Sequence, residues 1–166
     1  LQIAHRKKGK DLAVWITLPV SPQGLTEDGT NTISQLLKND VDIAGVNIMV
    51  MDFGQSLPAN WNMFEASKNA LIKSEKQLGI LYQRAGTNLS DLTLWSKIGV
   101  TPMIGQNDFA KEVFTLKDAE DLNKFASSHG IKHISIWSAN RDIACGNNYV
   151  NLKIVSDSCS GIQQTK

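Results

Sequence analysis

The 166 residues of this chain suffice for one domain with a sizeable core, but not for two independent domains. Hydrophobic residues make up 42% of the chain and charged residues 20%, which argues against the disordered, collagen-like and coiled-coil classes. The formal net charge of +1 is too balanced for a protein that binds nucleic acid or an anionic membrane. No apolar run approaches the roughly 20 residues that a membrane-spanning helix needs.

The N-terminus does not have the pattern of a signal peptide. Its basic residues follow a short apolar stretch, and the chain lacks an initiator Met. We therefore expect the chain to begin inside a longer protein.

Four short apolar runs predict β-strands. They cover residues 12–18, 43–51, 100–104 and 131–137. Each is too short for a typical helix, and turn-forming or polar residues bound them. Pro102 is awkward in a central strand, so the third strand either begins there or is irregular.

Amphipathic segments between these runs predict helices. They cover residues 31–38, 58–84 and 90–98, and a fourth begins at Thr115. Thr115 and Asp118 have the spacing of a capping box, and Gly130 follows at the expected end of that helix.

The alternation of strand and helix, with strands that are apolar on both faces, predicts a parallel α/β sheet. A doubly wound sheet could be complete at this length, whereas a closed eight-stranded barrel typically takes about 250 residues. The sequence has no Gly-x-Gly-x-x-Gly and no Walker loop. We therefore predict no nucleotide and no other cofactor.

The ends of the predicted strands carry the candidate functional residues, because chemistry in parallel α/β proteins gathers at the carboxyl ends of strands. Asp52 follows a mostly apolar strand, where a carboxylate is costly unless it is paired or functional. It could equally cap a helix or hold a turn. Gln106 and Asn107 suit sugar hydroxyls and amides but also occur in ordinary loops. Trp137 could stack against a sugar or fill the core.

Three segments resemble the C-terminal half of a family 18 glycoside hydrolase, and within that family the bacterial secreted chitinases. They are Val46-Asn-Ile-Met-Val-Met-Asp-Phe-Gly54, Val100-Thr-Pro-Met-Ile-Gly-Gln-Asn-Asp108 and Ile136-Trp-Ser-Ala-Asn-Arg-Asp142. The resemblance implies that the four strands are the fifth to eighth strands of a (β/α)8 TIM barrel. Residues 1–142 would then be half of the catalytic barrel, and residues 143–166 a C-terminal tail closing on it.

The catalytic signature of that family, Asp-x-x-Asp-x-Asp-x-Glu on the fourth strand, does not occur in this sequence. Asp40-Val-Asp42 begins like the signature, but no Glu follows at the required position. The resemblance therefore implies that an upstream half of the same barrel supplies the general acid, and that this chain alone is inactive.

The resemblance implies hydrolysis of chitin or chito-oligosaccharide, polymers of β-1,4-linked N-acetylglucosamine, by a substrate-assisted retaining mechanism. Asp52 would support the acetamido group of the reacting sugar, Trp137 would be its stacking floor, and Met49 would pack inside the barrel mouth. Many family members have Tyr before the Asp, but this chain has Met51, whose thioether is a poor donor. Gln106 or Asn107 is then the nearest candidate to hold the acetamide.

Cys145 and Cys159 lie in the polar C-terminal stretch, where buried core thiols are not expected. The resemblance points to a disulfide between them, since secreted chitinases of this kind often carry a Cys pair in the tail. A persistent disulfide requires an oxidising compartment, so we expect an extracellular or periplasmic protein. The other possibility is two free thiols in a cytosolic protein.

The three His residues have no metal-ligand spacing, and we predict no metal site.

Two other functions remain open at this point. One is a non-catalytic chitin-binding or oligosaccharide-binding protein derived from the same barrel. The other is a self-standing doubly wound domain that binds a small metabolite.

Overall fold

A computed structural model describes residues 1–147 and 155–163. Its strands are β1 (Val14–Ser21), β2 (Gly24–Leu25), β3 (Ile43–Val50), β4 (Ile98–Pro102), β5 (Gly105–Gln106), β6 (Val113–Phe114) and β7 (His133–Ile134). Its α-helices are α1 (Gln2–Arg6), α2 (Glu27–Lys38), α3 (Met63–Arg84), α4 (Asp91–Ser96) and α5 (Leu116–His129). Short 3-10 turns cover Gly54–Ser56 and Ala139–Arg141.

Side-chain caps determine where the helices begin. Asn62 and Glu65 form a capping box that starts α3, five residues after the predicted start at residue 58. Thr26 caps α2, which begins four residues before the predicted start at residue 31. The predicted capping box of Thr115 with Asp118 is confirmed, and so is the end of α5 at Gly130, whose φ is 72°.

The main sheet has the strand order β2-β1-β3-β4-β7. Strands β1, β3, β4 and β7 are parallel neighbours, and β2 returns antiparallel to β1, so the sheet is mixed. Successive parallel strands are added in one direction, which places right-handed helical crossovers on the same face of the sheet. A doubly wound sheet needs a reversal of strand order, and the described residues contain none. The doubly wound alternative is therefore wrong.

The two faces of the sheet differ in character. Ile48 and Val50 of β3 and Val100 of β4 are fully buried in the core, together with Met63, Leu71 and Leu78 of α3. The opposite face carries a polar row across three strands. Asn47 Nδ2 donates to Thr101 Oγ1 at 2.8 Å and to Thr17 Oγ1 at 3.4 Å. One face of the sheet is thus covered by helices, whereas the other is only half-buried.

The fourth predicted strand is much shorter in the structure. Only His133 and Ile134 pair with β4, both are exposed, and a single further bridge joins Met103 to Trp137. Sequence reasoning also missed the β1–β2 hairpin and the β5–β6 hairpin. The strand predicted at residues 100–104 covers Ile98–Pro102, so Pro102 is the last residue of β4 and the prediction that the strand begins there is wrong.

The predicted disulfide between Cys145 and Cys159 is confirmed, with the two Cα atoms 5.0 Å apart. The division at residues 142 and 143 stays a prediction, and residues 148–154 and 164–166 of the predicted tail lie outside the described residues. Within the described residues, no helix combines the length and the apolar character that crossing a bilayer demands.

Candidate functional site

Asp52 lies two residues beyond the end of β3, with φ of 48°. This left-handed conformation is uncommon for a residue with a side chain, although Asp tolerates it better than most. The carboxylate is half-buried, and its Oδ1 accepts a 2.8 Å hydrogen bond from the backbone N–H of Asp108. The sharp turn after β3 therefore brings Asp52 onto the loop that follows β4.

Asp52 contributes to a cleft of about 510 Å³ at the carboxyl ends of the parallel strands. The cleft is lined by Met49, Met51, Asp52, Met103, Asp108, Trp137, Val155, Ser156 and Asp157. Four of the predicted site residues, Met49, Met51, Asp52 and Trp137, thus meet at one place. Residues 49–52 and residue 137 are far apart in sequence, so only the fold unites them.

Burial is the main cause that raises the pKa of Asp52 above its ordinary value. The hydrogen bond from the Asp108 amide opposes this rise, the Asp108 carboxylate adds to it, and the positive charge of Arg141 opposes it. The balance leaves Asp52 easier to protonate than an exposed aspartate.

Trp137 is 54% exposed and lines the cleft, so a ligand in the cleft could contact its side chain. Its backbone is held by two hydrogen bonds to the end of β4: Trp137 N–H donates to Pro102 O at 2.9 Å, and Trp137 O accepts from Ile104 N–H at 3.0 Å. An exposed indole on an anchored backbone can serve as a stacking platform. This exposure contradicts the alternative that Trp137 fills the core.

Gln106 and Asn107 are placed differently from the expectation that one of them holds a sugar acetamide. Gln106 is 1% exposed and Asn107 is fully buried. The Asn107 amide donates to Met103 O and Gly105 O, while its Oδ1 accepts from the N–H of Asp52 at 3.3 Å. Gln106 Nε2 donates to three backbone carbonyls of the same loop. These contacts assign both amides to the support of the loop, and direct contact with a ligand is not supported.

Sequence reasoning did not identify Glu112 as a candidate site residue. Its side chain is 1% exposed, and its carboxylate accepts hydrogen bonds from Phe53 N–H at 2.8 Å and Gly54 N–H at 2.5 Å. Burial raises the pKa of Glu112, while these two hydrogen bonds lower it in part. The burial of Glu112 is a property of the fold, so no signal in the local sequence identified it.

Sequence reasoning also missed that the C-terminal tail forms one wall of the cleft, through Val155, Ser156 and Asp157. The buried Arg141 holds this wall, because its guanidinium donates to Ser156 O and also to Ile104 O at 3.0 Å and Gln106 O at 2.6 Å.

The tail also docks on β5, where Gln106 N–H donates to Ser160 O at 2.8 Å. A Cβ at Gly105, whose φ is 76°, would overlap that carbonyl. The tail can therefore approach this closely only because residue 105 is glycine.

A second cavity of about 600 Å³ lies between the loop after β3 and the loop after β4. Trp61 and Phe109 line it with Lys111 and Glu112, and Phe109 covers Gly54. Trp61 therefore does not line the Asp52 cleft, and it faces this neighbouring cavity.

Within residues 1–147 and 155–163, no three His, Cys, Asp or Glu side chains are grouped so that they could hold a metal ion.

Two curated proteins are similar to this chain. It is 36% identical over 154 residues to the "Probable bifunctional chitinase/lysozyme" of Escherichia coli strain K12, and 35% identical over 149 residues to "Endochitinase 11" of Metarhizium anisopliae. The first alignment covers 89% of this chain and 17% of the relative, and the second covers 86% and 28%. The chain therefore spans less than a third of either relative. No protein-family model matches it.

Solved structures give a match over nearly the whole chain. The catalytic domain of a hyperthermophilic chitinase from Pyrococcus furiosus superposes with a TM-score of 0.81 at 32% identity. The fold matches a chitinase catalytic domain. The match covers 98% of this chain and 49% of the solved chain, so the present chain spans about half of that domain. Catalytic-site mutants of active domain 2 of a chitinase from Pyrococcus furiosus, one set in complex with chito-oligosaccharides, match equally well.

Proposed function

We propose that this chain is the C-terminal half of a family 18 glycoside hydrolase barrel, and that the complete protein is a chitinase. Its substrate would be β-1,4-linked N-acetylglucosamine in chitin or chito-oligosaccharide. The observation that carries the proposal is the convergence of Asp52 and Trp137 on one cleft at the carboxyl ends of the parallel strands. Similarity to proteins named chitinases supports the same conclusion.

The half-barrel part of the proposal rests on the open face of the sheet. Trp15, whose ring meets His133 edge-on at 4.1 Å, lies on this half-buried face with the polar row of Thr17, Asn47 and Thr101. An upstream half that adds four strands would cover this face, the edge at β7, and the edge at β1 where β2 pairs only with Val20 and Ser21. Closure into a barrel removes exposed sheet edges, which otherwise promote aggregation.

The mechanism that we propose uses the N-acetyl group of the substrate as the nucleophile. A Glu of the upstream half protonates the glycosidic oxygen, and the acetamido carbonyl oxygen attacks the anomeric carbon as the bond to the leaving sugar breaks. Water then opens the resulting oxazolinium ion and returns the proton to the Glu, with net retention of configuration. In this scheme the negative charge of Asp52 stabilises the positive ion, and Trp137 supports the ring by stacking.

The acetamide contact differs from the arrangement with Tyr beside the Asp. Met51 lines the cleft at that position and offers no hydroxyl donor. The buried amides of Gln106 and Asn107 already donate to the backbone. Ser156 of the tail wall lines the cleft and has a hydroxyl, so we propose it as a candidate donor within this chain.

We also propose that the protein is secreted to the periplasm or the cell exterior. The Cys145–Cys159 disulfide supports this location, since such bonds persist in oxidising compartments.

The test of the proposed function is turnover of a fluorogenic chitobioside by the complete polypeptide that contains this chain. We expect hydrolysis by the complete protein, a product that keeps the β configuration when followed by proton NMR, and no hydrolysis by the 166-residue chain alone. Activity of the chain alone would refute the half-barrel proposal.

The same protein tests the alternative of a non-catalytic binding barrel. Calorimetric titration with chitotetraose that shows binding without turnover would favour that alternative. Absence of both binding and turnover would reject both functions.

A further inference from the structure

We propose that Glu112 is a positioning residue that fixes the orientation of Asp52 by binding the two backbone amides that follow it. This inference rests on the proposed function, because it assigns Glu112 a part in the chemistry attributed to Asp52. Glu112 does not line the Asp52 cleft and acts only through the turn after β3.

The turn after β3 has the geometry of a backbone anion site. Phe53 is in the right-handed helical region with φ of −67° and ψ of −24°, and Gly54 follows with φ of 57°. Consecutive residues in right-handed and left-handed conformations point their N–H groups into one concavity, which binds an anion. The Glu112 carboxylate occupies this concavity, with one oxygen on each N–H.

The occupied turn is connected directly to Asp52. The N–H groups bound by Glu112 belong to the two residues after Asp52, and the Asp52 N–H is bound by Asn107 Oδ1 at 3.3 Å. Three successive amides are therefore held by side chains of the loop after β4. Because the backbone of Asp52 is in the left-handed region, these contacts decide where its carboxylate points.

Glu112 is itself held rigidly. Its backbone N–H donates to Phe109 O at 2.8 Å, and its backbone carbonyl accepts from Asn107 N–H at 2.9 Å. Backbone hydrogen bonds within residues 107–112 therefore hold this loop independently of its contact with the turn after β3. A rigid partner of this kind can hold a charged group within the small tolerance that catalysis requires.

The test compares two substitutions of Glu112 with a matched control in the complete protein. Glu112→Gln keeps the size but places an amide N–H₂ against one of the two N–H donors. Glu112→Asp keeps the charge but shortens the reach by one methylene. The control, Glu75→Gln, removes another buried carboxylate, which lies on α3 and has Asp91, Lys76 and His129 as its charged neighbours.

We expect both Glu112 variants to lose kcat by about 10- to 100-fold, with KM changed less than about threefold, and the control to keep the wild-type kcat. Loss in both variants would show that reach as well as charge matters. Wild-type kcat in Glu112→Gln or in Glu112→Asp would overturn the proposal. If the Gln variant does not fold, the Asp variant decides alone.

A second readout is independent of activity. The Asp108 amide proton is bound to the Asp52 carboxylate, so its hydrogen exchange, followed by NMR, reports the position of Asp52. We expect this exchange to quicken about tenfold or more in both Glu112 variants and to stay unchanged in Glu75→Gln. Unchanged exchange in the Glu112 variants would overturn the positioning role. A wild-type protein without chitinase activity would reject the proposed function, while this exchange measurement would still decide the role of Glu112.

Discussion

Asp52 Oδ1 accepts a 2.8 Å hydrogen bond from the backbone N–H of Asp108, which joins the loop after β3 to the loop after β4. The bond fixes one carboxylate oxygen, while the side chain still lines the cleft. Truncation of the Asp52 side chain therefore removes both a charge and a contact between the two loops.

Asp52→Ala and Asp52→Asn separate these two effects in the complete protein. Asp52→Ala should reduce kcat by about ten- to a thousandfold, since it removes both the charge that supports the oxazolinium ion and the contact to Asp108. Asp52→Asn keeps an acceptor for the Asp108 amide, so its loss of kcat reports the charge. A wild-type kcat of either variant on a fluorogenic chitobioside would contradict this role for Asp52.

Trp137→Ala should weaken binding of chito-oligosaccharide by on the order of tenfold, because stacking on the indole buries apolar surface. The unfolding temperature should change little, since the side chain is 54% exposed. Trp137→Phe is the matched control and should retain part of the affinity. Equal affinity of the Ala variant and wild type, measured by calorimetry, would contradict the stacking role.

The Cys145→Ser/Cys159→Ser double variant should lose about 3 kcal/mol of stability, because the disulfide closes a loop of about 15 residues in the unfolded chain. Denaturant unfolding of the variant and the wild type measures this loss. The variant should also bind oligosaccharide less tightly, since residues 155–157 of the anchored tail line the cleft.

A count of free thiols under denaturing, non-reducing conditions tests the disulfide in natural material. We expect none from Cys145 and Cys159 in protein purified from its own compartment. Two titratable thiols would contradict both the bridge and the argument for export.

Glu75→Gln should change how stability depends on pH. Burial, aided by the charge of Asp91, raises the pKa of Glu75 above 4.5, so the folded protein holds this proton more tightly than the unfolded chain. The free energy of unfolding of the wild type therefore falls as pH rises from the ordinary pKa through the raised one. The variant lacks this loss, so its stability relative to wild type should be greater near pH 7 than near pH 4. Urea unfolding at pH 4 and pH 7 measures the difference in the free energy of unfolding between the variant and the wild type. The same difference at both pH values would show that Glu75 does not cause this pH dependence.

Local sequence determined much of the fold. Apolar runs predicted β1, β3 and β4, and the capping residues and Gly130 determined the limits of α5. The run at residues 131–137 predicted a strand of full length, yet only His133 and Ile134 pair as one. Pairing depends on a neighbour in space, and an apolar pattern does not contain that information.

Local sequence likewise identified some residues of the candidate site, and tertiary structure placed the others. The sequence identified Asp52 and Trp137, because a carboxylate after a buried strand and an aromatic residue at a strand end are local features. Tertiary structure alone placed Glu112 beneath Phe53 and Gly54, and brought residues 155–157 against the cleft. It also assigned the amides of Gln106 and Asn107 to the backbone. Hydrogen bonds across 50 or more positions, such as that from Phe53 to Glu112 with a separation of 59, arise only when β3 and β4 lie side by side.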